Sequence, residues 1–346
     1  MRVLGVVVFL LCLVRISYSQ DCIGALKKAK VAYEGGNIHE VEHILEACIK
    51  NGFDKTQKLE AYKLLVLVNL FDDQYEKADQ YMTSFLKLDP EYEIKPNEDP
   101  KEFVRLYNQF KTLPILSVGV LAGVNNTSIQ VMEQYGVNDQ VTNPGAYSSG
   151  FGYQFGLKFN RYITKKLAVD VDFMLSGKSY VYTNTQFGFA ESKMTESQMY
   201  IETPITFSYE FGNHKLRPYI GIGASAGYLI SAKMDPSRIY STNTLPEVGG
   251  NDIDLIENGN NLRQRFTYWL VAEIGLKYKV KRGFLSVDVL YKRGMLNQVS
   301  TENRYSNQDL VFQYYHVDDD FSIDNIAISL GYAYSLYNPK KKKIKQ

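Results

Sequence analysis

Residues 151–159 read FGYQFGLKF: Phe151, Tyr153, Phe155, Leu157 and Phe159 are large and apolar, and Gly152, Gln154, Gly156 and Lys158 alternate with them. A period of two puts the large residues on one face of a β-strand and the small or charged ones on the other. The same beat recurs at 116–122, 167–175, 201–211, 220–228, 268–278, 285–291 and 326–336, which makes eight segments after residue 113. Three joints between them are short (161–166, 212–215, 281–283). The other four, at 125–147, 178–197, 233–264 and 297–322, are long and polar. Alternating short and long joints predict an eight-stranded antiparallel transmembrane β-barrel over 113–338, with short turns at one rim and long loops at the other. An even strand count places both barrel ends at the short-turn rim. A soluble β-sandwich is the competing reading, but it gives no reason for every second joint to be short.

Composition agrees with that choice. The chain has 346 residues with 39 Lys+Arg against 38 Asp+Glu, and this balance carries no electrostatic footprint for nucleic acid. The mean hydropathy is −0.25 and no internal apolar run reaches about 18 residues, which excludes a helical membrane protein. A barrel passes the same test because only every second residue faces lipid. Most of the 27 tyrosines follow residue 113, many near segment ends where interfacial girdles lie. The opposite face carries Lys158, Asp170, Asp172, Glu202, Glu273, Lys277, Asp288 and Lys292. An eight-stranded barrel is just wide enough to be filled by side chains, so these residues are expected to pair as a lumen charge network. An ion-conducting lumen is the alternative.

Residues 1–19 have the anatomy of a secretory signal: Arg2, an apolar core from Val3 to Val14, then Ser17-Tyr18-Ser19, so that the exported chain starts at Gln20. Gln20-Asp21 before Cys22 does not fit a lipoprotein site. Export implies an oxidising compartment. Cys22 and Cys48 stand almost symmetrically about Gly35-Gly36, side by side if the flanking helices are antiparallel, and a disulfide is expected, with two buried free thiols as the other reading. Residues 339–346, rich in lysine from Lys340 to Lys345, read as a solvated periplasmic tail or a phosphate-seeking patch at a membrane surface.

Between 20 and 112 the period is helical. Ala25, Ala29 and Ala32 share one stripe; Val41, Ile44, Leu45 and Cys48 share another. A second pair covers Leu59 to Phe71 and Tyr75 to Leu88, and Asp99-Pro100 opens a fifth helix expected to run to Phe110. Tyr62, Leu65, Tyr75, Ala78, Phe85, Leu86 and Pro90 resemble the tetratricopeptide repeat; Gly36, Val41 and Leu45 resemble it more loosely. The resemblance implies a protein-binding helical domain, with Tyr62, Tyr75 and Tyr81 as candidate partner-binding residues.

Two enzymatic readings compete. His39-Glu40-Val41-Glu42-His43 is a literal HExxH, which could set two histidines one turn apart on zinc with Glu40 polarising water. Against a zinc protease, Val41 falls on the buried stripe, and a helical domain offers no edge strand to hold a peptide. Lipid A palmitoyltransferase and deacylase barrels need a rim histidine beside a serine or carboxylate. Here the barrel half holds only His214, in a short turn, and His316, beside Asp318, Asp319 and Asp320.

The fold class expected is thus α+β multidomain, with a periplasmic tetratricopeptide-like helical domain ahead of a barrel that resembles the small OmpA-like and PorT-like outer-membrane barrels. The PorT-like resemblance implies a tie to type IX secretion. The function expected is a non-enzymatic outer-membrane anchor, in contact with lipid, whose helical domain docks a periplasmic or outer-membrane protein. A receptor or adhesin using the long loops is the alternative. No cofactor, metal, nucleic acid or small-molecule ligand is expected.

Overall fold

The computed structural model describes residues 17–136, 145–186, 188–212, 215–240, 247–250, 252–256 and 261–342. Most of the expected signal peptide, His214 and residues 343–346 of the basic tail lie outside them. The chain divides into two compact units, residues 1–113 with 337–346, and residues 114–336.

Among the described residues the first unit has five helices: α1 Ser17–Glu34, α2 Ile38–Asn51, α3 Lys55–Phe71, α4 Tyr75–Leu88 and α5 Lys101–Tyr107. Gly36, with φ at +82°, makes the turn between α1 and α2 that a side chain would strain. Asp54 opens α3 with a reciprocal capping box to Gln57. Ala29, Val41, Leu45 and Leu65 form one buried cluster, and Ala78, Met82, Phe85 and Phe103 form a second. Cys22 and Cys48 form a disulfide that ties α1 to α2. The fifth helix ends three residues short of Phe110, because Phe110–Lys111 pairs as a strand with Lys340–Lys341. That pairing gives the start of the tail a backbone partner, while Lys340, Lys341 and Lys342 remain exposed. Lys341 meets Asp79 at 2.6 Å and the Lys342 ammonium donates to the Asn108 carbonyl, so the first tail lysines are docked on their own unit.

In the second unit the ring is made of eight of the described strands, β1 Leu116–Glu133, β2 Ala146–Tyr162, β3 Leu167–Gln186, β4 Ala190–Glu210, β5 Leu216–Tyr240, β6 Phe266–Val280, β7 Gly283–Gly294 and β8 Asp320–Leu336, and the two-residue strands Val248–Gly249 and Ile253–Asp254 pair with the far part of β5. Each pairs antiparallel with its chain neighbour, and β8 pairs with β1, which closes the ring. The short joints stand as expected. The long loop expected between β3 and β4 does not: both strands run on as a hairpin paired as far as Gln186 and Ala190. Along β4 the outward residues change from Ile201, Ile205 and Phe207 to Glu191, Lys193, Thr195 and Ser197, while the inward beat continues unbroken. Strands β3 to β5 therefore run past the apolar band with an outer face that is mostly polar, Val181 and Ile239 being apolar exceptions.

Candidate functional site

The inward positions build four tiers of charge from the short-turn rim to the loop end. Nearest the turns, Lys277 lies 2.9 Å from Glu210 and 3.8 Å from Asp170, which also accepts from Asn160 and Ser208. Above it, Lys158 lies 2.8 Å from Asp288 and 3.9 Å from Glu273; the Tyr219 hydroxyl lies within hydrogen-bond reach of both carboxylates. In the third tier Glu202 sits between Lys178 and Lys292, with Lys292 at 2.5 Å. The Lys178 ammonium also lies over the Tyr200 and Trp269 rings at 4.9 and 5.0 Å. Glycines opposite the bulky groups make room for them: a Cβ at Gly227 would meet the Trp269 ring, and one at Gly275 the Tyr219 ring.

All eight lumen residues named from the sequence are buried. Seven of them belong to these ion pairs; Asp172 shares the second tier, and its Oδ1 has no hydrogen-bond partner. Lys178 and Glu210 complete the tiers. Both lie on the inward beat of β3 and β4, so continuing the period of two would have found them.

The fourth tier closes the loop end. Residues 253–256, 261–264 and 297–319 fold into the barrel mouth and are laced together: Ser300 donates to the Leu262 carbonyl, Gln264 to that of Gln298, and Arg263 bridges Val299. Arg263 is 1% exposed. Its guanidinium donates two hydrogen bonds to Glu196, at 2.9 and 2.6 Å, and two to Asp318, both at 2.8 Å. This two-sided fork uses the planar geometry that a lysine lacks. Burial would raise the Asp318 carboxyl, but Arg263 and His316 beside it hold it well below the usual carboxylate range. Leu255, Leu262, Leu310 and Tyr314 pack with Met194 and Tyr200 around this core. His316, weighed above as a loop base, is buried, with Nε2 3.2 Å from Asp318, so its environment is that of a packed plug.

In the helical unit Tyr62 and Tyr81 stand 6.4 Å apart between helices, with the Tyr81 hydroxyl donating to Glu42. Tyr75 is exposed, and so is Phe71 at the end of the preceding helix. His39, Glu40 and His43 point to solvent on α2 while Val41 is buried. Among the described residues no three His, Cys, Asp or Glu side chains are grouped to hold a metal ion.

A closed eight-stranded ring with an apolar outer band and a charged interior is the geometry of an outer-membrane barrel, and the description of the outer membrane protein beta-barrel domain matches residues 111–300. The chain belongs to that family. As an outer membrane protein beta-barrel it resides in the outer membrane, in contact with lipid. No curated protein matches it. Solved structures similar to it include Neisserial surface protein A (NspA) at 15% identity, covering 63% of this chain and 97% of that one with a TM-score of 0.30. OprG from Pseudomonas aeruginosa is 12% identical, with 65% and 98% covered and a TM-score of 0.32. The attachment invasion locus protein Ail of Yersinia pestis, in complex with a heparin analogue, is 11% identical, with 63% and 99% covered and a TM-score of 0.28. At such scores the family assignment rests on the domain match and the ring.

Proposed function

We propose that this outer membrane protein beta-barrel is a non-conducting anchor whose helical unit, on the periplasmic side with the short turns, docks a protein component of secretion or envelope assembly. The observation that carries the reading is the occupied interior: among the described residues, four tiers of paired charge and two laced loop segments sit inside the barrel and at its mouth. The task then falls to the helical unit, where Phe71 and Tyr75 are exposed at 74% and 58% without lipid to cover them. The tetratricopeptide-like pattern of α3 and α4 supports a protein as the occupant. The test is crosslinked capture from intact cells with the full chain and with a chain lacking residues 21–111. Loss of the captured partners with the helices is the expected result, and an unchanged capture list would move the function to the barrel.

A second reading draws on the loop end, where Phe312 and Tyr305 are 72% and 62% exposed on the plug. A receptor or adhesin would use these aromatics, and its ligand binding would survive removal of the helices.

A further inference from the structure

The two rims of the barrel differ in charge. At the short-turn rim Arg161, Lys165, Lys166, Lys215, Lys281 and Arg282 are exposed. The acidic residue of those turns and strand ends is Glu210, and it is buried in the first lumen tier with Lys277. At the loop rim the balance reverses among the described residues. Glu191, Asp235, Glu247, Asp252, Asp254 and Asp309 are exposed there, against Lys193, Lys233 and Arg293. A near-neutral chain has thus segregated its exposed charge along the barrel axis.

The basic rim also sits at a defined depth. Tyr209, Phe211, Tyr278 and Tyr334 point outward just above the turns, and the Lys166 ammonium lies 5.9 Å from the Tyr209 ring. Outward aromatics of a membrane barrel settle at headgroup level. Cations one or two residues beyond them then stand at the level of the lipid phosphates. Compact ammonium groups on flexible stems suit mobile phosphates, whereas a fixed carboxylate partner would favour a buried arginine fork of the kind seen at the mouth.

We propose that the short-turn rim is a binding belt for the phosphate groups of anionic phospholipids in the leaflet it faces. The proposal rests on the orientation given above, with the short turns toward the periplasm. The belt holds the barrel at fixed depth, and the acidic loop rim disfavours the inverted insertion. Each basic residue near an anionic surface contributes about fivefold in lipid preference, and salt screens that preference over a Debye length of about 8–10 Å.

The full-length protein, purified into micelles carrying equal phosphatidylglycerol and phosphatidylcholine, is examined by native mass spectrometry for retained lipid. Phosphatidylglycerol is expected to exceed phosphatidylcholine by about tenfold or more, less so at high salt. Inorganic phosphate at the same concentration is expected to leave the preference intact. The combined Lys165→Gln, Lys166→Gln, Lys215→Gln and Lys281→Gln variant is expected to bring the two lipids near parity. The same four positions changed to Arg should restore the preference, and Lys193→Gln with Lys233→Gln at the loop rim should not alter it. Parity in the unaltered protein, or a preference that survives the four Gln substitutions, overturns the proposal. In a second set of micelles carrying equal lipid A and phosphatidylglycerol, retention of lipid A over phosphatidylglycerol at the rim, lost in the four-Gln variant, also overturns it, by assigning the rim to the opposite leaflet. None of these outcomes depends on which protein the helical unit captures.

Discussion

In the helical unit Val41, Leu45, Ala78 and Met82 are wholly buried, while Lys30, Glu46 and Lys50 stand in solvent. In the barrel Lys178, Glu202 and Lys292 are wholly buried, while Ile222, Leu330 and Phe151 are the exposed residues. Each unit obeys the same rule in a different solvent. Water drives apolar groups inward in the first. Lipid accepts them on the outside of the second, and the charges within are tolerated because they meet opposite charge and further hydrogen-bond donors. The barrel thus depends on pairing inside and on apolarity outside, whereas the helical unit depends on apolar packing alone for most of its core.

The strongest way to break that contrast is at the mouth. Arg263→Met leaves Glu196 and Asp318 buried without their cation, and is expected to destabilise the plug by about 3–5 kcal/mol. Hydrogen exchange of residues 253–256 and 297–319 should rise accordingly, and exchange no faster than in the unaltered protein would show that the plug is held by its apolar cluster alone. Next in size, Leu45→Ala in the helical core should cost about 2–5 kcal/mol, while Leu330→Ala on the barrel should be close to neutral because lipid fills the space. Leu330→Arg should instead cost about 2–4 kcal/mol in lipid unfolding measurements. Ser329, one residue away and inward, accepts a 2.7 Å hydrogen bond from Gln154, so Ser329→Ala should cost only about 1 kcal/mol. Equal losses for Leu330→Arg and Ser329→Ala would refute the assigned facing.

The strands and their faces were legible because alternation is a local property, readable from Phe155 and Lys158 without knowing what they touch. Their ends were not. The outer face of β4 turns polar at Ser197, and polarity there looks the same as a loop unless the inward series Glu202, Tyr200, Gln198, Glu196 is followed past it. Arg263 had no such series to reveal it: it lies outside the strands, and its partners are 67 and 55 residues away in the chain. The pairing of Phe110–Lys111 with Lys340–Lys341 was hidden for a related reason, since a lysine run carries no sign of the backbone ladder that docks it. The Cys22–Cys48 bridge, by contrast, followed from helix geometry over a short span.

One residue of the helical unit departs from its own rule and uses the barrel's device. Asp99 is buried, yet it accepts from the Lys63 ammonium, from the Tyr92 hydroxyl at 2.7 Å and from the Lys95 amide at 2.7 Å. Burial alone would raise its carboxyl, and these three donors outweigh it and hold the group below the usual carboxylate range. A depressed folded-state pKa means that the ionised group contributes stability above the ordinary value of about 3.9 and that this stability is lost as pH falls through the lower folded value. Asp99→Asn keeps the shape and removes the charge, so it should cost about 1 kcal/mol at pH 7. Read by hydrogen exchange in α3 and α5, the two proteins should differ at pH 7 and pH 5, and the difference should shrink in acid as the native carboxyl is itself protonated. A difference that persisted unchanged into acid would mean that Asp99 acts through its shape and hydrogen bonds, leaving paired buried charge as a device of the barrel only.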